Sequence, residues 1–135
     1  MDKTIPVRNL INAWVKLDLE SLLAQLAEDA VFENIPMEPI VGKPAIRRAL
    51  AAFVVSCTAS PWELKNIAVS ARGTVLTERN DIFVLRDGRR VNCPVMGAFD
   101  VNEEGLITHW RDYFDLGDWN RMMKMDPDFG RRRSS

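Results

Sequence analysis

The fold of this chain is decided by one long stretch, residues 62–115, WELKNIAVSARGTVLTERNDIFVLRDGRRVNCPVMGAFDVNEEGLITHWRDYFD. β-Branched and aromatic residues run through it, and three turn-forming pairs interrupt it at hairpin spacing: Arg72-Gly73, Asp87-Gly88 and Glu104-Gly105. The pattern predicts an antiparallel meander of four strands, at about 62–71, 74–85, 89–101 and 106–114. Pro94 falls inside the third of these strands and indicates a bulge or a sheet edge there.

The segment before this stretch has helical periodicity. Apolar side chains recur at helical spacing through residues 5–27, in two sets separated by Asp18, which predicts two helices with Asp18 capping the second. A short strand is predicted at 30–36, a third helix at about 44–56 with Pro44 in its first turn, and a C-terminal helix at about 116–124.

Helices followed by a run of strands are typical of an α+β fold. We predict N-terminal helices packed on a strongly curved, mixed and mostly antiparallel sheet, which forms a cone with an internal pocket. The length of 135 residues fits a single domain over 1–135, with a core at about 5–125 and a basic C-terminal tail at 126–135.

Composition and charge exclude several classes of partner. The net charge of −1 indicates neither a nucleic-acid-binding surface nor one for an anionic membrane, and no apolar run is long enough to span a bilayer. Cys57 and Cys93 are in neither a CxxC nor a metal-binding spacing, so we predict no metal site and two buried thiols. Without a signal peptide in the sequence given, we expect a cytoplasmic protein.

Two strands carry charged residues where apolar ones are expected. Arg79 and Asp81 are two residues apart in a predicted strand, so their side chains point to the same face. Asp112 shares a face with Trp110 and Phe114, which indicates that this aspartate faces the interior.

If these three charged residues meet in one cavity, one carboxyl is protonated and the other ionised at neutral pH, with the arginine bridging them. Such a pair can remove a proton from water while donating another to a leaving oxygen. An Asp–Arg–Asp cluster on a sheet is more often a structural or interface ion network than a catalytic site, and the spacing alone does not decide between these interpretations.

Four motifs occur in an order that resembles the limonene-1,2-epoxide hydrolase family: FENIP (32–36), ERNDIF (78–83), PVMGAF (94–99) and GLITHWRDYFD (105–115). The resemblance extends from about Val7 to Met123. It implies the cone-shaped α+β fold shared with nuclear transport factor 2, ketosteroid isomerase and the SnoaL cyclases, which is also described as cystatin-like.

The resemblance also implies roles for individual residues. Asp112 matches the general base that draws a proton from the attacking water, and Asp81 matches the general acid that protonates the epoxide oxygen. Arg79 matches the arginine that links the two carboxylates, and Asn34 matches the asparagine that orients the water. The implied reaction opens a small apolar epoxide to a vicinal diol in one step, with no metal or organic cofactor.

One position departs from the family motif. The family has a tyrosine two residues before the asparagine, as a further hydrogen-bond partner of the water, whereas this chain has Phe32 there. The only tyrosine, Tyr113, alternates to the face opposite Asp112. Losing one hydrogen bond of roughly 0.5–1.5 kcal/mol would lower the rate by up to about an order of magnitude without abolishing it. The alternatives are that the water shifts or that this protein has moved to a different reaction.

The remaining predictions concern the pocket wall and the outer face. The substrate pocket is predicted to be lined by Ile11, Trp14, Phe32, Phe83, Val95 and Phe114. His109, Arg111 and Tyr113 alternate to the outer face of the sheet, so His109 is not expected to act as a base. These three indicate a subunit interface, and the family resemblance implies a homodimer.

Two other function classes stay open. An isomerase or a cyclase of the same fold would use Asp112 to abstract a carbon-bound proton, with protonated Asp81 as the oxyanion partner. A non-catalytic module that binds small molecules would be expected to have lost the triad, which is intact in this sequence.

Overall fold

The computed structural model describes residues 1–123, and the predicted basic tail at 126–135 lies outside them. Its helices are α1 (Thr4–Val15), α2 (Leu19–Leu23), α3 (Lys43–Ser56) and α4 (Leu116–Met123). Its strands are β1 (Leu26–Ile35), β2 (Ile40–Val41), β3 (Cys57–Ala59), β4 (Glu63–Val69), β5 (Val75–Leu85), β6 (Arg90–Val101) and β7 (Ile107–Tyr113). The α+β class predicted from the sequence is confirmed.

All seven strands form one mixed sheet in the order β2-β1-β7-β6-β5-β3, with β4 also paired to β5. The predicted meander is confirmed, because β4, β5, β6 and β7 pair antiparallel in sequence. The parallel contribution comes from β1, which lies beside β7 with Asn34 opposite Asp112. This pairing brings the FENIP and WRDYFD motifs together across neighbouring strands.

The helices lie on the inner face of this sheet. Trp14 of α1 and Phe53 of α3 both contact Phe83 of β5, at ring-centroid distances of 6.2 and 5.8 Å. Asp18 caps α2 as predicted, since its side chain accepts a hydrogen bond from the backbone N–H of Ser21. None of the helices within residues 1–123 has the length and apolar character needed to cross a membrane.

The second helix is shorter than its periodicity predicts. α2 ends at Leu23, and Leu26, assigned to the helix by spacing, is the first residue of β1. The backbone N–H of Ile107 donates to the carbonyl oxygen of Gln25, and Leu26 lies opposite Ile107. Pairing with a distant strand therefore overrides the local helical pattern, because it buries Leu26 equally well.

Pro94 occupies a sheet edge, one of the two alternatives that its position indicates. It lies opposite Asn80 in an unbroken register with β5, whereas the pairing of β6 with β7 begins only at Met96. The missing backbone N–H of proline is therefore tolerated on a side of β6 that pairs with no strand at that point. Cys57 and Cys93 are buried free thiols, as predicted.

Candidate active site

Alternation along β5 places the charged residues on the inner face. Thr77, Arg79, Asp81 and Phe83 are all buried, whereas Asn80 between them is partly exposed. On β7, Trp110 and Asp112 are buried and Tyr113 is exposed. Two strands separated only by β6 therefore direct one arginine and two aspartates to the same interior region.

Arg79 joins the two carboxylates directly. Its Nε donates to Oδ1 of Asp81 at 3.0 Å, and its Nη2 donates to Oδ2 of Asp81 and to Oδ2 of Asp112, both at 2.9 Å. The side chains of Arg79, Asp81 and Asp112 are 0, 5 and 6% exposed. The arrangement brings together the three residues that the sequence predicted would meet.

Aromatic rings enclose the guanidinium group. Its Cζ atom lies 5.0 Å from the ring centroid of Trp62 and 5.9 Å from that of Phe99, within cation–π distance. Water is excluded on these sides, which strengthens the attraction between the arginine and its carboxylates. It also makes an unpaired charge costly, so the three groups depend on one another.

Burial and neighbouring charges shift the protonation equilibria of the site. Burial raises the pKa of Asp81 to about 6, although the charge and hydrogen bonds of Arg79 oppose this and the charge of Asp112 adds to it. Burial by itself lowers the pKa of Arg79, but Asp112 and Asp81 outweigh it, so the pKa is raised and the guanidinium stays charged. Burial and the two carboxylates raise the pKa of the nearby Cys93 thiol to about 12, which makes it a poor nucleophile.

The two carboxylate oxygens of Asp112 differ in their hydrogen bonding. Its Oδ2 accepts the hydrogen bond from Arg79, whereas its buried Oδ1 has no hydrogen-bond partner among residues 1–123. A buried carboxylate oxygen without a partner is unusual in proteins and marks a position where a proton donor is expected to bind. Asn34 lies opposite Asp112 on β1 and also lines the cavity.

A cavity of about 80 Å³ opens beside Asp81 and Asp112. Of the residues predicted to line it, Trp14, Phe32, Phe83, Val95 and Phe114 do so. The sequence did not identify six further lining residues: Met37, Leu50, Phe53, Trp62, Trp110 and Trp119. The wall is thus dominated by aromatic rings, with Asn34 and the two carboxylates as its polar groups.

Ile11 is placed elsewhere, which corrects the prediction that it lines the pocket. It is buried in the core and lines a separate depression with Arg8, Asn12 and Trp62. Ile11 and Trp14 lie on one stripe of α1, but only the larger indole reaches the cavity. Its Nε1 donates to Ser60 at 2.7 Å, and Ser60 donates to the carbonyl oxygen of Ile82 at 2.5 Å, so the ring is fixed in position.

His109 lies on the opposite side of the sheet from the carboxylates. Its Nε2 contacts Glu33 of β1, and both side chains are partly exposed. In the part of the chain that the structure describes, no group of three or more His, Cys, Asp or Glu side chains is arranged to hold a metal ion.

The chain matches the family profile described as "Limonene-1,2-epoxide hydrolase catalytic domain" over residues 2–125. It is 35% identical over 113 residues to epoxide hydrolase EphG of Mycobacterium tuberculosis, covering 83% of this chain and 72% of that protein. A solved M. tuberculosis epoxide hydrolase of this type is 33% identical with a TM-score of 0.71, covering 90% of this chain and 86% of that one.

More distant structures share the fold alone. The epoxide hydrolase/cyclase-like enzyme SalBIII is 16% identical with a TM-score of 0.78, covering 86% of this chain and 92% of that one. A putative isomerase from Bacillus subtilis is 19% identical with a TM-score of 0.81, covering 93% of this chain and 98% of that one. The fold therefore accommodates several chemistries, and the side chains of the cavity decide among them.

The buried ion network predicts a pH-dependent loss of stability when its cation is removed. Replacing Arg79 by methionine leaves two buried carboxylates without a counter-charge, so the free energy of unfolding should fall by about 3–5 kcal/mol at neutral pH. In the variant the pKa of Asp81 should rise further above its unfolded value, because the charge and hydrogen bonds of Arg79 that lower it are gone. The deficit should therefore be small at pH 5 and grow as the pH rises.

Urea denaturation at pH 5 and pH 8 measures this effect. Arg47→Met is the matched control, because Arg47 of α3 forms an ion pair with Glu20 in which both side chains are exposed. That change should leave the free energy of unfolding almost unchanged at either pH. Equal losses in the two variants, or a loss in Arg79→Met that does not depend on pH, would contradict the assignment of a mutually dependent buried network.

Proposed function

The chain belongs to the limonene-1,2-epoxide hydrolase family, and from this premise we propose that it adds water to a small apolar epoxide and releases a vicinal diol. The observation that carries the proposal is the bridge from Arg79 Nη2 to both Asp81 and Asp112 in the wall of an aromatic cavity. A cavity with few polar groups other than these favours a substrate whose only strongly polar atom is the one that reacts.

Asp112 is proposed as the general base. Its Oδ1 has no protein donor, so it is available to accept a proton from a water molecule held between Asp112 and Asn34. Loss of that proton makes the water oxygen nucleophilic at the moment when it attacks a carbon of the oxirane ring. The second carboxylate oxygen keeps its hydrogen bond to Arg79, which holds the base in one orientation.

Asp81 is proposed as the general acid. Because burial raises the pKa of Asp81 to about 6, a useful fraction of its carboxyl groups carries a proton near neutral pH. As the new C–O bond forms and the oxirane C–O bond breaks, this proton passes to the leaving oxygen. Asp112 then holds the proton taken from water and Asp81 is ionised, so one proton must move from Asp112 to Asp81 or through solvent before the next cycle.

Arg79 has an electrostatic part in this proposal. Each step exchanges which carboxylate is charged, and a guanidinium hydrogen-bonded to both stabilises either state without moving. The aromatic rings beside it exclude solvent that would otherwise screen this interaction.

A second candidate is a cyclase, in which a hydroxyl group of the substrate opens the epoxide in place of water. The observation that favours it is Phe32, which stacks on Trp110 at 4.1 Å between ring centroids and has no hydroxyl to help hold a water molecule. Asp112 and Asp81 would keep the same roles, because an alcohol and water lose a proton in the same way.

Turnover in oxygen-18 water distinguishes the two candidates. A panel of small epoxides, with and without a hydroxyl group in the same molecule, should give diols that contain one solvent oxygen after a single turnover. Asp112→Asn should lower kcat by at least about 100-fold, because the base is lost. Asp100→Asn is the matched control, since Asp100 also accepts hydrogen bonds from an arginine but lies on the outer face.

Two results would count against hydrolysis. A cyclic ether without solvent oxygen would support the cyclase instead. Full activity of Asp112→Asn would refute the assigned base for both reactions.

Phe32→Tyr tests whether water positioning limits the rate. The added hydroxyl should supply the missing hydrogen bond and raise kcat for hydrolysis by up to about tenfold. The measurement is steady-state hydrolysis of one epoxide by both proteins, with thermal unfolding as a check on packing against Trp110. A kcat that stays the same or falls in a stably folded variant would contradict the proposed limitation.

We also propose that the outer face of the sheet forms a homodimer interface. Met96 and Tyr113 lie opposite each other on β6 and β7, and they are 55% and 47% exposed. Because neither side chain is part of the core, Met96→Glu combined with Tyr113→Glu should shift the sedimenting mass from dimer to monomer while the circular dichroism spectrum stays that of the folded protein. A wild-type monomer at micromolar concentration would disprove the interface.

A further inference from the structure

A single line of residues crosses four strands at the centre of the site. Thr77 of β5 lies opposite Gly97 of β6, Gly97 lies opposite Asp112 of β7, and Asp112 lies opposite Asn34 of β1. Asp112 and Asn34 have roles in the proposed reaction. Thr77 and Gly97 have no role in that reaction, although they occupy the other two positions of the same line.

Gly97 provides the space in which the guanidinium group lies. A Cβ atom at this position would be 2.4 Å from Arg79 Nη1, 2.7 Å from Thr77 Oγ1 and 2.9 Å from Asp112 Oδ1. All three distances are shorter than any ordinary contact of a carbon with nitrogen or oxygen. The three polar atoms therefore surround one point above Gly97, and any side chain there would push them apart.

Thr77 binds the one nitrogen of Arg79 that touches neither carboxylate. The residue is 1% exposed, and its Oγ1 accepts a hydrogen bond from Nη1 at 3.0 Å. Nε and Nη2 are already used by Asp81 and Asp112. Nη1 thus has two oxygen atoms around the point above Gly97, Thr77 Oγ1 and Asp112 Oδ1, and it is hydrogen-bonded to the threonine.

This choice of partner has a chemical consequence. A guanidinium hydrogen bond to Asp112 Oδ1 would occupy the oxygen that the proposed reaction needs as its proton acceptor. It would also turn the guanidinium away from Asp81, to which Arg79 now donates two hydrogen bonds. Thr77 supplies an alternative acceptor for an N–H group of Nη1, and Oδ1 of Asp112 is left without a hydrogen bond from this nitrogen.

We infer that Thr77 and Gly97 are positioning residues: Gly97 admits the guanidinium of Arg79, and Thr77 holds its Nη1 so that Oδ1 of Asp112 stays free as the base. The inference rests on the proposed function for its effect on catalysis. The hydrogen-bond arrangement itself can be tested without any substrate.

Three groups face Asp81 and bear on its titration. They are Arg79 on the same strand, Asp112 on β7 and the Cys93 thiol, which lies directly opposite Asp81 on β6. Arg79 is the one that lowers the pKa of Asp81. If its guanidinium turns towards Asp112, the pKa of Asp81 should rise above its value of about 6.

Thr77→Val and Thr77→Ser separate positioning from packing. Valine keeps the shape of threonine but removes the acceptor, so kcat should fall about tenfold, equivalent to about 1.4 kcal/mol, with little change in KM. Because Asp81 must hold a proton, the alkaline limb of the wild-type pH–rate profile is expected to follow its pKa of about 6, and in Thr77→Val this limb should move to higher pH. Serine keeps the hydroxyl acceptor, so Thr77→Ser should have a kcat and an alkaline limb close to those of the wild type.

A packing role predicts the reverse order, with valine close to wild type and serine impaired by the lost methyl group. That order would overturn the inference. It would also be overturned if the wild type, Thr77→Val and Thr77→Ser had the same kcat and the same alkaline limb in their pH–rate profiles. Thr74→Val is the matched control, because Thr74 donates a hydrogen bond to Asp100, which also accepts one from Arg111 on the outer face. This variant should leave kcat and the pH profile unchanged.

Gly97→Ala provides a second test, since the added methyl group must displace the guanidinium. It should lower kcat at least as much as Thr77→Val, and full activity would overturn the role given to Gly97.

Carbon-13 NMR titration of the Asp81 carboxyl group needs no substrate. An upward shift of its pKa in Thr77→Val but not in Thr77→Ser supports the positioning even if no epoxide is turned over, in which case only the proposed function fails. Identical titrations in the three proteins would overturn the positioning even if epoxides are hydrolysed.

Discussion

The structure depends on one buried cation that is shared by two buried anions. Arg79, Asp81 and Asp112 are almost fully removed from solvent, and each would be unstable in this position without the others. The chain accommodates them by placing Arg79 and Asp81 two residues apart on β5 and Asp112 on β7, with a glycine between them on β6 that leaves room for the guanidinium. The sheet register that sets the fold is therefore the register that assembles the site.

The aromatic residues complete this arrangement in two ways. On one side Trp62 and Phe99 flank the guanidinium and keep it dry. Towards the helices, Phe83 meets Trp14, Trp62 and Trp119 edge to face, at centroid distances between 5.3 and 6.2 Å. A wall of interlocked rings is stiff, because moving one ring disturbs its neighbours. We conclude that the cavity is a preformed space next to the carboxylates.

The sequence was most informative where residues are related by strand alternation or by a turn. Spacing alone put Arg79 and Asp81 on one face, and it put Asp112 on the face of Trp110. It failed where a contact joins distant segments. Leu26 was assigned to a helix because its pairing with Ile107 is non-local, and β2 and β3 are too short to leave a pattern.

The cavity wall shows the same limit. Phe53 and Trp119 come from helices whose packing on the sheet no local rule fixes. Ile11 and Trp14 share one stripe of α1, and only the relative reach of their side chains distinguishes the core residue from the lining residue. The role of Gly97 was invisible for another reason, since a glycine in a strand has several explanations and the close approach of Arg79 exists only in three dimensions.

Each face of the sheet carries a cluster of a threonine, an arginine and an aspartate, and the inner cluster adds a second aspartate, Asp112. On the outer face, Thr74 and Arg111 both donate to Asp100, and the pKa of Asp100 is lowered, first by its hydrogen bond to Arg111. On the inner face, Arg79 bonds to Thr77 and donates twice to Asp81, yet burial raises the pKa of that aspartate to about 6. Burial is the largest cause of the raised pKa of Asp81, and the charge of the second inner carboxylate, Asp112, adds to it. The less buried Asp100 keeps its ionised form with the help of Arg111, whereas the aromatic interior favours the protonated form of Asp81, which can donate its proton. The catalytic potential of the inner cluster thus depends on its burial, and what the fold contributes to chemistry is the removal of water from one arginine and the two carboxylates that share it.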